Sequence, residues 1–294
     1  MAQPFRFILD QTETESYGDF IPRNLRPLID RATPHARAHI SGSPVVAIGL
    51  ASSGQTFFGV NVELPGVPLN YSIHAEQFLV ANLALHSELQ LKGLAISTNG
   101  YYFQAPCDHC CQFLKEVRDM SDTIVVITDP TGQSGTFKPF STLLSQGSIS
   151  RENVLRFLEL SYNSIGFIDS SLYMDICINS GCNHLNCRAL RAATMSYAPY
   201  STCPSGVALI DRRGKVYSGV YMESVAHNSS LGPVQAALVD FVVNGDGQEF
   251  KEIVEAVLVE RKCGGLSQEG IARMILEKIA DPDCIFRVLH CKNN

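Results

Sequence analysis

The 294-residue chain contains no run of basic residues, and 23 lysines and arginines against 29 aspartates and glutamates leave a formal net charge of -6. A protein that grips nucleic acid through its backbone phosphates needs a positive face, so this balance argues for a small substrate. Nowhere do eighteen apolar residues run together, which argues against a membrane-spanning helix. Met1 to Asp10 carries only a short apolar patch, Phe5 to Leu9, with no basic n-region or cleavage site, so no secretory signal is expected. Ten cysteines in so long a chain, two of them in a CxxC, read as metal or redox chemistry in a reducing, cytoplasmic compartment and not as a disulfide framework. The remaining composition, 45% apolar with charges of both signs interspersed, is that of a globular protein at the size where one core gives way to two.

Periodicity sets the order of elements. Leu25, Leu28, Ile29 and Ala32 fall at helical spacing between Pro22 and Pro34. Two apolar runs, Pro44 to Leu50 and Thr56 to Leu64, joined by Ala51-Ser52-Ser53-Gly54-Gln55, predict a β-hairpin. Ser72 to Leu91 reads as a buried helix with His74 and Glu76 in its first turn. A strand over Gly93 to Ser97, a helix over Cys107 to Val117 and a β-branched run from Thr123 to Thr128 follow. Gly, Ser, Thr and Pro then become frequent, and Gly132 to Asn186 reads as a linker with one short helical pattern, Asn153 to Leu160.

Beyond it the first pattern returns. A hairpin (Val207 to Asp211, Val216 to Met222), a helix (Leu231 to Val243), a strand (Ile253 to Glu260), a helix (Gln268 to Ile279) and a strand (Cys284 to Leu289) repeat the order. The fold class expected is α/β, a duplicated three-layer domain with a mixed sheet. Its expected parts are an N-terminal segment 1–20, a first domain 21–154, a linker 155–186 and a second domain 187–294. Phe58-Gly59-Val60 aligns with Ser218-Gly219-Val220, and Gln77-Phe78-Leu79-Val80 with Ala236-Ala237-Leu238-Val239. In that register His74 faces Pro233 and Glu76 faces Gln235, while only Cys263 stands near the position of the CxxC. The second copy is therefore expected to lack the metal site.

The chemistry sits in the first copy. His74, Cys107 and Cys110 make a three-ligand zinc set, and a catalytic zinc keeps its fourth position for water. One Zn2+ per chain is the expected cofactor. Glu76, two residues after the histidine, is placed to shuttle protons beside such a site. Helix N-termini stabilise thiolates, which suits both cysteines. Cys111 and His109 also carry ligand atoms, but Cys111 projects around the helix away from its neighbour and His109 lies between the pair. Cys177, Cys182, His184 and Cys187 form a rival cluster whose spacing matches no established zinc pattern. Asn61 and Glu63 alternate at a strand end and so share a face; they are either an exposed strand end or a donor and acceptor pair for sugar hydroxyls.

His74-Ala75-Glu76 followed by Pro106-Cys107-Asp108-His109-Cys110 matches the H-x-E, P-C-x-x-C signature of zinc deaminases. Together with Phe58 to Glu63, Ser72 to Leu79, Pro106 to Leu114 and Ser196-Tyr197-Ala198-Pro199-Tyr200-Ser201 to Leu209, it makes nearly the whole chain resemble cytidine deaminase of the long, two-domain kind. The resemblance implies a zinc-dependent hydrolase of pyrimidine salvage that converts cytidine and deoxycytidine to the uridines. Glu76 would then be catalytic, Asn61 and Glu63 would bind the ribose, and the chain would form a homodimer without nucleic-acid or membrane partners. Departures from the family pattern are Ser43-Pro44 where an aromatic residue is usual, Cys111 where arginine is usual, and a longer loop from Thr98 to Ala105 carrying Tyr101, Tyr102 and Phe103. The competing expectation is a paralogue that folds and dimerises but turns over little substrate.

Overall fold

The computed structural model describes residues 5–98, 102–129, 135–144, 157–158, 163–169, 184–262 and 265–293. They divide into two compact units, and each holds one mixed sheet.

In the first unit the elements are β1 (Ile8–Leu9), α1 (Gln11–Ser16), α2 (Pro22–Ala32), β2 (Val45–Ala51), β3 (Thr56–Val60), α3 (Ala75–Leu85), β4 (Leu91–Thr98), β5 (Tyr102–Gln104), α4 (Asp108–Leu114), β6 (Ile124–Thr128) and β7 (Gly135–Pro139). The strands run β1-β3-β2-β4-β6-β7, with β5 paired to β4. Only β4 and β6 are parallel, because α4 provides the crossover between them. α3 lies against the face shown by Gly59, while the ring of Phe20, leading into α2, covers Gly93. Gly93 sits beside Leu50, an odd number of residues along β2 from the Ala47–Gly59 pair, so it faces the other way and helices cover both faces.

The second unit repeats this plan with β8 (Ile165–Phe167), α5 (Leu185–Thr194), β9 (Ser205–Asp211), β10 (Val216–Val220), α6 (Pro233–Asn244), β11 (Ile253–Arg261), α7 (Glu269–Ile279) and β12 (Ile285–Asn293). Its strand order is β10-β9-β11-β12-β8, with β11 and β12 parallel. One core layer joins Ala189 and Ala193 of α5 to Ala208, Val257, Val259 and Cys291 of the sheet. α5 escapes a periodicity search because alanines form much of its buried face. A larger residue cannot enter, since the backbone of Ala192 and Ala193 lies against Gly206.

The repeat holds, but the helix register shifts by one residue from the sequence alignment. A Cβ on Gly59 would sit 2.1 Å from the Ala75 carbonyl oxygen and 2.7 Å from the Leu79 nitrogen. On Gly219 it would sit 2.4 Å from the Pro233 oxygen and 2.0 Å from the Ala237 nitrogen. Strand and helix backbones touch at both places, so each position requires glycine. The contacts equate Ala75 with Pro233 and Leu79 with Ala237. His74 therefore matches Gly232, Glu76 matches Val234 and Gln77 matches Gln235. The bridges of Val62 to Ile73 and of Met222 to Leu231 give the same register. The strand-to-helix connection is two residues shorter in the second copy, which an ungapped reading of apolar residues does not reveal.

Other boundaries also move. α3 stops at Leu85, where His86 and Ser87 close the helix and Ser87 takes a positive φ of 57°. Leu91 belongs instead to β4, opposite Ala51. His74 precedes the first turn as N-cap, with extended backbone (φ -72, ψ 152). The inserted aromatics are partly a strand: Tyr102 pairs with Thr98, and Phe103, 2% exposed, pairs with Ser97. The supposed linker supplies an edge strand to each sheet, β7 beside β6 and β8 beside β12. β7 is exposed along its length, so it carries no apolar alternation for a sequence reading to find. Of the Asn153 to Leu160 pattern only 157–158 are described, with Phe157 buried against Phe113 at 4.8 Å between ring centroids.

Two short segments group with the unit opposite to their repeat. Ser224–Ser229 packs within the first unit and Leu64–Pro68 within the second. Among the described cysteines six are free thiols and Cys203 is disulfide-bonded, one departure from the expectation of reduced cysteines. No helix among the described residues is long and apolar enough to cross a membrane.

Candidate metal and catalytic site

The sequence places a ligand at the start of each of two helices, and the fold brings those starts together. His74 is the N-cap of α3 and Cys107 the N-cap of α4, while Cys110 lies in the first turn of α4 and is fully buried. The His74 Nδ1 is 3.4 Å from the Cys110 Sγ and 3.7 Å from the Cys107 Sγ. All three ligand atoms lie within 4.8 Å of one another, and no other set of three or more His, Cys, Asp or Glu does so among the described residues.

These separations fit a metal ion. Tetrahedral zinc with Zn–S near 2.3 Å and Zn–N near 2.0 Å puts its sulfur and nitrogen ligands about 3.6 Å apart. One nitrogen and two sulfurs are a borderline-soft donor set of the kind zinc takes, and three protein ligands leave a fourth position for water or substrate.

The two cysteines are driven in opposite directions, Cys107 toward the thiolate and Cys110 toward the thiol. The Cys107 thiol is held at about 3, chiefly by a hydrogen bond from Cys110 and then, against burial, by one from His74. Cys110 is pushed up by the Cys107 sulfur, by burial and by the neighbouring Glu76. The His74 imidazole is raised through its bond to Cys107. Glu76 is only 4% exposed. Burial pushes its carboxyl above the usual range, and it hydrogen-bonds with Cys110. A buried carboxyl raised above the usual carboxylate range beside a ligand sulfur is suited to accept and return a proton.

The neighbouring donors lie elsewhere. Cys111 is buried, pushed up to about 12 chiefly by burial, and its thiol points to the Pro106 carbonyl at 3.6 Å. His109 stacks on the His74 ring at 4.8 Å between centroids, outside the ligand set. Of the rival cluster, Cys177 and Cys182 lie outside the described residues; His184 and Cys187 sit at and just inside the start of α5, without forming such a set.

Asn61 and Glu63 have structural partners. The Asn61 Oδ1 accepts the Val45 N–H at 2.9 Å and its Nδ2 donates to the Ser43 carbonyl at 3.1 Å. The Glu63 Oε2 accepts the N–H groups of Ile40 and Ser41 at 2.7 and 3.0 Å. Against the effect of burial, a hydrogen bond from the Ser41 side chain joins these backbone bonds in holding the Glu63 carboxyl below the usual range.

The second unit shows the same scaffold with different side chains. Gly232 and Val234 stand where His74 and Glu76 do, and Gln268 is the N-cap of α7 as Cys107 is of α4. Tyr221 replaces Asn61. Its buried hydroxyl bonds with Glu223, Ser230 and Gln268, and burial raises it to about 12. A phenol thus stands where the first copy has an amide, and a Cβ on Gly232 would meet the Gln235 Oε1 at 2.2 Å. Cys263, which the sequence places near the position of the CxxC in this copy, is outside the described residues.

Sequence reasoning missed Gln77 and Glu116. The Gln77 Oε1 accepts the His74 N–H at 3.1 Å, and its Nε2 donates to the Ser229 carbonyl at 3.1 Å. The signal for Gln77 was its place three residues after an N-cap. Nothing in the sequence marked Glu116.

Comparison with known proteins agrees with this geometry. Two family models, each described as "Cytidine and deoxycytidylate deaminase zinc-binding region", match residues 24–127 and 141–273. The chain is 74% identical to "Cytidine deaminase 8" of Arabidopsis thaliana, over 99% of this chain and 100% of the relative. It is 49% identical to "Cytidine deaminase 6" of the same organism, over 97% and 98%. It is also 41% identical to "Probable inactive cytidine deaminase 4" of that organism, over 99% and 98%.

Proposed function

The chain belongs to the cytidine deaminase family, and from that premise we propose that it hydrolyses cytidine and 2'-deoxycytidine to uridine and 2'-deoxyuridine with release of ammonia, a step of pyrimidine salvage. What carries the reading is the convergence of the His74, Cys107 and Cys110 ligand atoms beside the buried carboxyl of Glu76.

His74, Cys107 and Cys110 would hold one zinc. When bound, zinc lowers the pKa of a coordinated water toward neutrality and so supplies a nucleophile. Glu76 takes one proton of the attacking water and delivers it to N3 of the cytosine ring, then takes the other from the hydroxyl formed at C4 and passes it to the amine as the C4–N bond breaks. Burial raises its carboxyl above the usual range, which favours holding a proton and returning it. Asn61 and Glu63 bind the ribose hydroxyls, an amide and a carboxylate together presenting donors and acceptors of the kind a sugar needs.

The catalytic domain is assigned to 21–154 and a non-catalytic domain to 187–294, joined through 155–186. In the second domain Gly232 and Val234 carry neither ligand atom nor carboxylate, so no metal and no chemistry are assigned there. The active form is a homodimer acting on free nucleosides.

The test is purified protein analysed for zinc and assayed for loss of cytidine absorbance and for ammonia. About one zinc per chain with turnover is expected. Stoichiometric zinc without turnover of either nucleoside would remove the activity and leave a folded paralogue, as the name of one 41% identical relative suggests for that protein.

A further inference from the structure

Ser224–Ser229 belongs to the second repeat by sequence but to the first unit by packing. Its polar bonds there fall on the two helices that carry the metal ligands. The Ser229 carbonyl accepts from the Gln77 Nε2, whose Oε1 holds the N–H of the ligand His74. The Val225 N–H donates to the Glu116 Oε1 at 2.9 Å, just beyond the end of α4, and the Ser224 Oγ donates to the Gln112 carbonyl within it at 3.4 Å. Ser224 and Ser229 are joined by their hydroxyls at 2.8 Å, so the two ends of the loop form one braced piece. Gln77, Glu116, Ser224 and Ser229 are each no more than 3% exposed, and buried polar bonds of this kind fix geometry because losing one leaves an unsatisfied group.

The second copy gives an internal contrast. Its counterpart of Gln77, Gln235, has an Oε1 with no hydrogen-bond partner, and a glycine stands at the ligand position. The counterpart loop, Leu64-Pro65-Gly66-Val67-Pro68, has no polar side chain to brace it. The full clamp exists only where the ligands exist.

We propose that Gln77 and Glu116 are positioning residues through which loop Ser224–Ser229 of the second repeat sets the relative placement of His74 on α3 and Cys107 and Cys110 on α4. The degenerate repeat thereby acts on the metal site without contributing a ligand. This rests on the assignment of His74, Cys107 and Cys110 as zinc ligands.

Zinc content of the wild-type protein is measured first, and then the rate of zinc loss to an excess of chelator, followed with a chromogenic zinc reporter well below the unfolding temperature. Glu116→Leu removes the acceptor for the Val225 N–H, Glu116→Gln keeps an oxygen there, and Gln77→Met keeps chain length without either hydrogen bond. Partners one step removed from a metal typically change its affinity 10- to 100-fold, so Gln77→Met and Glu116→Leu are expected to release zinc at least about tenfold faster, and Glu116→Gln within about twofold of wild type. Wild-type release from both Gln77→Met and Glu116→Leu would overturn the proposal, as would Glu116→Gln releasing as fast as Glu116→Leu. Should Gln77→Met not fold, the two Glu116 variants decide. A wild-type protein without zinc would overturn the ligand assignment itself, a result distinct from zinc-loaded variants that behave as wild type.

Discussion

Glu63 and Glu223 make the same pair of bonds in the two repeats: the Oε2 of Glu63 accepts the N–H groups of Ile40 and Ser41, and that of Glu223 those of Tyr200 and Ser201. Each carboxylate holds a tight loop entering the hairpin, in the copy that carries His74 and Glu76 and in the copy with Gly232 and Val234 in their places. The fold alone therefore accounts for a glutamate here, and the ribose binding proposed for Glu63 would be an additional role. Glu63→Ala and Glu223→Ala should each cost about 2 kcal/mol in urea unfolding, from loss of charge-assisted bonds. Only Glu63→Ala should also raise KM for cytidine. Equal KM in both variants would leave Glu63 a purely structural residue.

Glu76→Gln tests the proton carrier. The amide fills the same volume beside Cys110 but cannot exchange a proton, so zinc content should stay near wild type while kcat falls on the order of 100- to 10,000-fold. Steady-state kinetics with metal analysis on the same preparation checks this. Normal turnover would take Glu76 out of the mechanism.

Gly59→Ala and Gly219→Ala should both be strongly destabilising. The added Cβ would lie 2.1 Å from a carbonyl oxygen in one case and 2.0 Å from a backbone nitrogen in the other, and helix backbone cannot rotate aside as a side chain can. Overpacking of this severity costs about 3 kcal/mol or more, read as a fall in Tm. Gly59→Ala should in addition lower zinc occupancy, because Ala75 adjoins the ligand His74. Gly219→Ala should not alter the metal ligands directly.

Asp211 gives the second unit a pH dependence. Although burial opposes its ionisation, the N–H groups of Lys215 and Arg213 and the Tyr217 hydroxyl hold its carboxyl below the usual range. A folded pKa below the unfolded one stabilises at pH values above the unfolded pKa, near 3.9, and the gain disappears as pH falls through the folded value. Asp211→Asn should therefore reduce stability at neutral pH by about 2 kcal/mol and weaken the acid-side slope in urea midpoints measured from pH 6 down to pH 3. An unchanged slope would show that other carboxylates dominate acid unfolding.

Much of the fold was legible because hydrophobic period and turn chemistry are local. Pro22 and Pro34 bracket α2, the Ala51 to Gln55 turn joins β2 to β3, and the β-branched run at Ile124–Thr128 is a strand. What escaped was weakly patterned or depended on partners. α5 buries alanines, β7 is an exposed edge, and β8 gains its place only by pairing with β12. The one-residue register error at His74 had the same origin, since only backbone contact at Gly59 and Gly219 reveals which helix residues correspond.

The sequence by itself determined the donor set and its chemistry: one histidine, a CxxC and a glutamate two residues from the histidine limit what the site can bind and what it can do with a proton. It also determined the duplication, because apolar period repeats whether or not side-chain chemistry does. Tertiary structure alone decided that the Glu63 carboxylate is already engaged by backbone, that the Tyr221 hydroxyl reaches Gln268, and that Ser224–Ser229 bonds to Gln77 and Glu116. Those relations join residues far apart in the chain through hydrogen bonds whose partners no local pattern specifies. A residue's type states which bonds it can make, and only the packed chain states which of them are already taken.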